Sequence, residues 1–329
     1  MSDKVLITGP SLAPDAVKLL EDAGLTPVYV PPYSSGDGLL DAVRSADPVG
    51  IISRMGRIDA TVLDAAPSLR VISKHGVGVD NIDTGEAARR GIPVLVATGA
   101  NAVSVAEHAI ALMLAVAKRL LPLDRSLREG RWEKPGFKGR ELAGSTLGLV
   151  AFGAIARQTG RFARAFGMEV VAYDPFCPAE AFAEDGVAQI DDLDQLLAMS
   201  DVISLHSPLT PDTRNLIDAR RLALMKPDAI IVNTARGGLI DEPALAAAVA
   251  EGRIAGAGLD TFAQEPPPAD HPFWAEPRLV MTPHIGGVTT AANTRVGTEA
   301  AQGIIDLLAG RQVPAPRIIN RAALAAAVA

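Results

Sequence analysis

Two series of short, β-branched apolar runs, each run followed by a stretch of helical character, constrain this chain more than any other feature. In the first third the runs are "KVLIT", "TPVYV", "VGIIS", "LRVISK" and "GIPVLVA", with helical stretches at 13–23, 39–46 and 60–66. After residue 145 they are "TLGLVAF", "MEVVAYD", "DVISLHS", "AIIVNTA", "IAGAGLD" and "LVMTPHI". Strands that alternate with helices form βαβ units, and such units build parallel sheets. Runs this apolar suit strands buried on both faces. The expected class is α/β, with two doubly wound parallel-sheet domains. At 329 residues the chain has room for both, since a domain runs to roughly 150. Six strands after residue 145 suffice for the two mononucleotide halves of a dinucleotide fold, so the larger domain is expected to be Rossmann-type.

Between the two series, residues 103–128 read as a long helix interrupted near Pro122, suited to connect the domains. After Gly287 a helical stretch, "AANTRVGTEAAQGIIDLLAG", runs toward the C-terminus. The longest apolar run, "AIALMLAVA" at 109–117, falls far short of the ~20 residues that span a bilayer. It reads as a buried helix, and no membrane role is expected. The net charge is −7 and no window gathers Lys and Arg into a stripe, which argues against a nucleic-acid partner. The lone Cys177 excludes an internal disulfide, and "MSDKVLITGP" lacks the features of a signal peptide, so a cytoplasmic location is expected. No His, Cys or Asp cluster has metal-ligand spacing, and Cys177 has no neighbouring base to make it a nucleophile.

The turn after the first strand of the second series, "LGLVAFGAIARQTG", reads Ala151, Gly153 and Ala156 where a dinucleotide fingerprint has three glycines. The three have separate tasks: a tight turn, close approach of backbone to pyrophosphate, and close packing of helix on strand. Gly153 keeps the middle one, and alanine is tolerated at the third. Ala151 is the departure, because a Cβ there must fit a turn that normally has none. Asp174 ends the next strand 23 residues after Ala151, near the ~20 expected for the acid that binds the adenosine ribose. Its charge would repel a 2′-phosphate, which favours NAD over NADP.

Several blocks together resemble the D-2-hydroxyacid dehydrogenase family, in its phosphoglycerate-dehydrogenase-like branch: "KHGVGVDNID", "NAVSVAEHAIALML", "VVAYDPF", "HSPLTPDTRNLI", "IIVNTARGGLIDEPAL", "GAGLDTFAQEPP" and "MTPHIGG". The resemblance implies a discontinuous, flavodoxin-like substrate-binding domain from 1–100 plus 288–329, and an NAD-binding Rossmann domain at 101–287. It also implies a homodimer held by the region around 101–146. The chain's end near residue 329 leads to the expectation that no regulatory domain is appended.

By the same resemblance, Arg236, Glu265 and His284 form the catalytic set. Reduction of a 2-oxo acid needs a cation to orient the carboxylate, an acid to protonate the developing alkoxide, and a group that keeps that acid charged. Arg236 offers a planar fork of donors, His284 the proton, and Glu265 a partner that fixes the imidazole and raises its pKa. Taken singly, each would more often be a solvated or structural residue; joined inside the matching blocks they point to catalysis. The cofactor contacts implied are Gly153, Ala154, Ile155 and Asp174; His206, Ser207, Pro208 and Thr213; Thr234, Ala235 and Arg236; and Asp260, His284 and Gly286. Substrate contacts fall to Ser53, Arg54, Val77, Gly78, Arg236 and His284. Arg54 and Arg57 suggest a second anionic group on the substrate, such as phosphate or sulfonate, with solvated surface charges as the alternative. No proton-transfer role is assigned to His75, His108 or His271.

The expected function is NAD-dependent interconversion of a small 2-oxo acid and its D-2-hydroxy acid, of hydroxypyruvate, phosphohydroxypyruvate or sulfopyruvate type. A formate- or phosphite-type dehydrogenase of the same family, or a non-catalytic NAD-sensing protein, are the alternatives.

Overall fold

The computed structural model describes residues 3–31, 34 and 36–328. The chain folds into two compact units, Met1–Asn101 with Thr289–Ala329, and Ala102–Val288.

In the first unit five strands, β1 (Lys4–Ile7), β2 (Thr26–Tyr29), β3 (Gly50–Ser53), β4 (Val71–Lys74) and β5 (Val94–Leu95), lie in the order β2-β1-β3-β4-β5. Every pairing is parallel. This is the flavodoxin-like order, whose ligands bind beyond the carboxyl ends of the strands. The helix Thr290–Leu308 packs on the helix Pro14–Asp22 and on β3 and β4. Its Ala300, Ala301 and Ile304 are fully buried beside Val5, Ile7, Leu20 and Ile52. The approach is close, for a Cβ on Gly50 would stand 3.0 Å from Ile304. Asn320 then pins the tail to β5, accepting the Val94 N–H at 2.9 Å and donating to the Ile92 carbonyl at 3.0 Å.

The second unit holds β6 (Thr146–Val150), β7 (Glu169–Tyr173), β8 (Ala188–Gln189), β9 (Val202–Leu205), β10 (Ile230–Asn233), β11 (Gly256–Leu259) and β12 (Leu279–Met281). They lie parallel in the order β12-β11-β10-β9-β6-β7-β8. Counted from β6, the order is that of the doubly wound dinucleotide fold with one more strand at the far edge. The order reverses between β6 and β9, and open α/β sheets bind ligands at such a switch point. β9, β10 and β11 are buried at every residue, as strands covered by helices on both faces must be.

Two details differ from the sequence reading. Seven strands are present rather than six, because β8 is two residues long and both are exposed, leaving no apolar run to detect. The long connector is two helices, Ala102–Ala117 and Leu120–Arg128, and the break falls at Arg119 (φ 51°) rather than at Pro122. Proline is accommodated in a helix's first turn, where its missing N–H has no intrahelical partner to lose. Pro122 therefore sits just inside the second helix. Within 102–117, Ala109, Ile110, Leu112, Met113 and Val116 are buried in the core of the second unit, the place expected for the longest apolar run. Among the described residues no helix is long and apolar enough to cross a membrane.

Candidate active site

The turn that follows β6 answers the question posed by its missing glycines. Ala151 has φ 71°, in the left-handed region that glycine favours. Its N–H is held by the Tyr173 carbonyl at 2.8 Å. Gly153 precedes the helix Ala154–Ala165, which has no side-chain cap, and nothing lies within 4 Å of where its Cβ would be. The open backbone and the uncapped N–H groups of Ala154 and Ile155 form the concavity that a helix N-terminus offers to phosphate. Ala156 is fully buried, and close helix-to-strand approach occurs one turn later, where a Cβ on Gly160 would stand 3.3 Å from Leu149 and Val170. Asp174 ties the turn to the end of β7, accepting the Phe152 and Phe176 N–H groups at 2.9 Å each, one per carboxylate oxygen. Each oxygen retains a lone pair for a ribose hydroxyl.

The loops after β9 and β10 lie at the carboxyl edge of the same sheet. His206 directly follows β9 with Nε2 buried and unpartnered, and burial pushes the ring down to about 3, so it stays neutral. Thr234 likewise has a buried hydroxyl with no partner. Ser207 donates to the Pro208 carbonyl at 3.2 Å, and Thr213 braces the loop by donating to that carbonyl at 2.7 Å while accepting the Thr210 N–H at 2.7 Å. Asn233 holds the next turn, accepting the Ala235 N–H at 3.0 Å and donating to the Arg236 carbonyl at 2.9 Å. Orphaned polar atoms at two strand ends, beside an open helix N-terminus, fit a dinucleotide with a hydrogen-bonding head group.

Arg236, Glu265 and His284 meet in this unit. Glu265 Oε2 lies 2.7 Å from His284 Nδ1, and Oε1 accepts the Phe262 N–H at 3.1 Å. Burial works against the Glu265 charge, but the His284 bond and charge, the Phe262 N–H and the nearby Arg236 outweigh it and hold the carboxyl below the usual range. An ionised carboxylate only accepts, so His284 Nδ1 carries the proton it shares. Nε2 is left as the nitrogen available for chemistry. The "RGG" block explains the Arg236 placement: a Cβ on Gly237 would fall 1.9 Å from the Phe262 carbonyl carbon, so the two backbones touch.

Asp260 does more than the sequence suggests. Its buried carboxylate accepts the Thr282 hydroxyl at 2.6 Å and the Ile285 and Gly286 N–H groups at 2.8 Å each. Its own carbonyl accepts the His284 N–H at 2.8 Å. His284 sits at φ 53°, a conformation costly for histidine, and this net of bonds holds it there. The helix Ala102–Ala117 adds two supports, His108 Nε2 at 2.8 Å from the Thr282 hydroxyl and Ser104 donating to the Gly286 carbonyl at 2.8 Å. Sequence reasoning gave His108 no proton-transfer role, and its lone polar ring in an apolar helix was the signal of a support. Cys177 is no nucleophile in waiting, since burial and the Asp174 charge push its thiol up.

The first unit carries the remaining residues. Ser53 is fully buried, its hydroxyl accepting from Asn81 Nδ2 at 3.1 Å and its carbonyl accepting the His75 N–H at 2.9 Å, so the expected substrate contact at Ser53 is corrected to a structural support of the strand end. Arg54 is half-buried, donates to the Ser11 carbonyl, and burial lowers its pKa. Val77 is exposed and follows Gly76, whose φ of 135° only glycine adopts readily.

Parallel strands that reverse order beside an uncapped helix N-terminus define a dinucleotide-binding α/β protein. The comparisons narrow this. The family described as "D-isomer specific 2-hydroxyacid dehydrogenase, NAD binding domain" matches residues 110–286. D-3-phosphoglycerate dehydrogenase of Methanocaldococcus jannaschii is 43% identical over 93% of this chain and 58% of that protein. Hydroxypyruvate reductase of Thermotoga maritima is 44% identical over 82% of this chain and 87% of that protein. Among solved structures, a glyoxylate reductase from Paecilomyes thermophila superposes with TM-score 0.84 at 31% identity, covering 95% of this chain and 97% of that one. The chain belongs to the D-isomer-specific 2-hydroxyacid dehydrogenase family, and its cofactor is NAD. It spans 58% of the length of the phosphoglycerate dehydrogenase it matches.

Proposed function

We propose that this protein interconverts a small 2-oxo acid and its D-2-hydroxy acid, with Arg236, Glu265 and His284 as catalytic residues. The observation that carries the reading is the Glu265–His284 pair at 2.7 Å, with Glu265 held ionised beside Arg236. NADH, when bound, supplies the hydride. Arg236 orients the substrate carboxylate through its guanidinium fork. His284 Nε2 delivers the proton that the developing alkoxide takes up, and the Glu265 carboxylate stabilises the imidazolium beforehand through Nδ1–H. In the oxidative direction the neutral ring, with Nδ1 protonated, takes the alcohol proton on Nε2. Gly153, Ala154, Ile155 and Asp174 would hold pyrophosphate and ribose. The loops with His206, Ser207, Pro208, Thr213, Thr234 and Ala235, together with Asp260 and Gly286, would hold the nicotinamide half. The Asp174 charge favours NAD over its 2′-phosphorylated form.

Relatives named for 3-phosphoglycerate and hydroxypyruvate support a three-carbon acid. In the first unit, the half-buried Arg54 and the exposed Val77 beside Gly78 support the substrate contacts that the family resemblance implies there, and the Arg54 charge favours a second anionic group. A homodimer is part of the same reading, supported by exposed Leu120, Leu121 and Leu127 on one short helix and Trp132 beyond it.

The test is NADH binding by fluorescence titration, with NADH oxidation assayed against glyoxylate, hydroxypyruvate, phosphohydroxypyruvate and sulfopyruvate. His284→Gln should lower kcat by about 10²–10⁴-fold, far more than it weakens NADH binding. Turnover that survives this change would remove His284 from the mechanism, and absence of NADH binding would remove the reading.

A further inference from the structure

The turn that carries Glu265 has a strut behind it that the chemistry above does not use. Glu242 opens the helix Glu242–Ala250, and its side chain is almost wholly buried. Its Oε1 accepts the Ala263 N–H at 2.8 Å, and its Oε2 lies 3.0 Å from His271 Nε2. His271 is itself buried, with Nδ1 accepting the Phe273 N–H at 3.4 Å, so Nε2 bears the proton and donates it to Glu242. The His271 ring is boxed by Phe262, Phe273 and Trp274, with centroids at 6.1, 4.6 and 5.7 Å. A buried carboxylate with both oxygens committed is a rigid element, because losing either partner leaves an unsatisfied charge.

What this strut grips is the backbone that two catalytic groups share. Phe262 and Ala263 supply the N–H that orients Glu265 on one side and the surface against which Gly237 abuts on the other. We propose that Glu242, locked by His271, is a positioning residue for catalysis: it fixes the 262–263 backbone and thereby sets the Glu265 carboxylate on His284 and the Arg236 turn beside it. This rests on the reaction proposed above. It adds that the geometry of the acid–base pair is decided some residues away from it, by a carboxylate–imidazole hydrogen bond that touches neither substrate nor cofactor.

The experiment is a double-mutant cycle with a spectroscopic arm. Glu242→Ala removes the acceptor of the Ala263 N–H and should lower kcat by up to about 100-fold, the scale of a small misplacement of catalytic groups, with NADH affinity within about twofold of the parent. Glu242→Gln keeps an oxygen acceptor for the Ala263 N–H but turns its amide N–H toward the His271 Nε2–H, so it should recover part of that loss and not all of it. In a Glu265→Gln background, Glu242→Ala should cost little more, since the carboxylate it positions is gone. In the ligand-free protein, the ¹⁵N shifts of His284 should report Nδ1–H as the dominant neutral tautomer, and both Glu242→Ala and Glu265→Gln should move it toward a mixture. Multiplicative losses in the cycle, or an unchanged His284 tautomer in Glu242→Ala, would overturn the proposal. If Glu242→Ala does not fold, His271→Gln carries the same cycle and tautomer comparison with smaller expected effects. A parent protein that turns over no 2-oxo acid would sink the proposed reaction, while the tautomer comparison would still judge the strut.

Discussion

Ala151 and Ala156 both stand where a dinucleotide turn ordinarily has glycine, yet their backbones and surroundings give them opposite energetics. Ala151 holds φ 71°, where a Cβ costs about 1–2 kcal/mol. Glycine would remove that strain but add about 0.5–1 kcal/mol of chain entropy on folding. Ala151→Gly should therefore stabilise the protein by about 0.5–1 kcal/mol net. Ala156 is helical and fully buried, so glycine there loses packing and helix propensity, a cost of about 1 kcal/mol or more. Urea denaturation of the two variants checks this, and shifts of the same sign would refute it. The identities of both residues were legible in the sequence, and the sign of each effect was not. A fingerprint records which residue is present; φ and burial, which fix its cost, are set by the strand and helix on either side.

Two histidines placed at strand ends make an element-scale prediction about acid. His206 directly follows β9, and burial pushes it down to about 3; His75 directly follows β4, and burial followed by the Arg54 charge pushes it down to about 4. Both stay neutral in the fold while the unfolded chain takes up protons near the usual value of about 6.5. Between those values the unfolded state binds more protons, so stability falls as the pH drops from about 6.5 toward 4, by up to ~1.4 kcal/mol per pH unit for each group, and is untouched above 7. Urea midpoints at pH 7 and pH 5 should show the loss, and His206→Gln should reduce it; an equal loss in the variant would exclude His206 as a source. Elements were the most legible level of this chain. The buried strands β9, β10 and β11 announced themselves as apolar runs. β8 did not, because its two residues are exposed and only its neighbour β7 defines it. The helix break at Arg119 was displaced from the proline that signals it, since proline marks a first turn as readily as a break.

At the scale of the whole molecule, the exposed leucines of the helix Leu120–Arg128 call for a covering surface. Leu120 and Leu127 lie two turns apart, and Leu127 is 58% exposed and Trp132 72%. Analytical ultracentrifugation should give a species of twice the 34.2 kDa chain mass, and Leu127→Glu should shift it toward the monomer. A monomeric parent would remove the homodimer from the reading. The sequence by itself determined that the fold is α/β, where its buried strands run, and which residue types could serve acid–base chemistry, because periodicity, turn residues and ordered motifs are properties of neighbours along the chain. Tertiary structure alone decided that Asp260 holds the His284 loop from 22 to 26 residues away, that Glu242 and His271 grip the turn of Glu265, and that β6 lies between β7 and β9. These are contacts between residues distant in sequence. Close packing brings them together, and no local pattern records it.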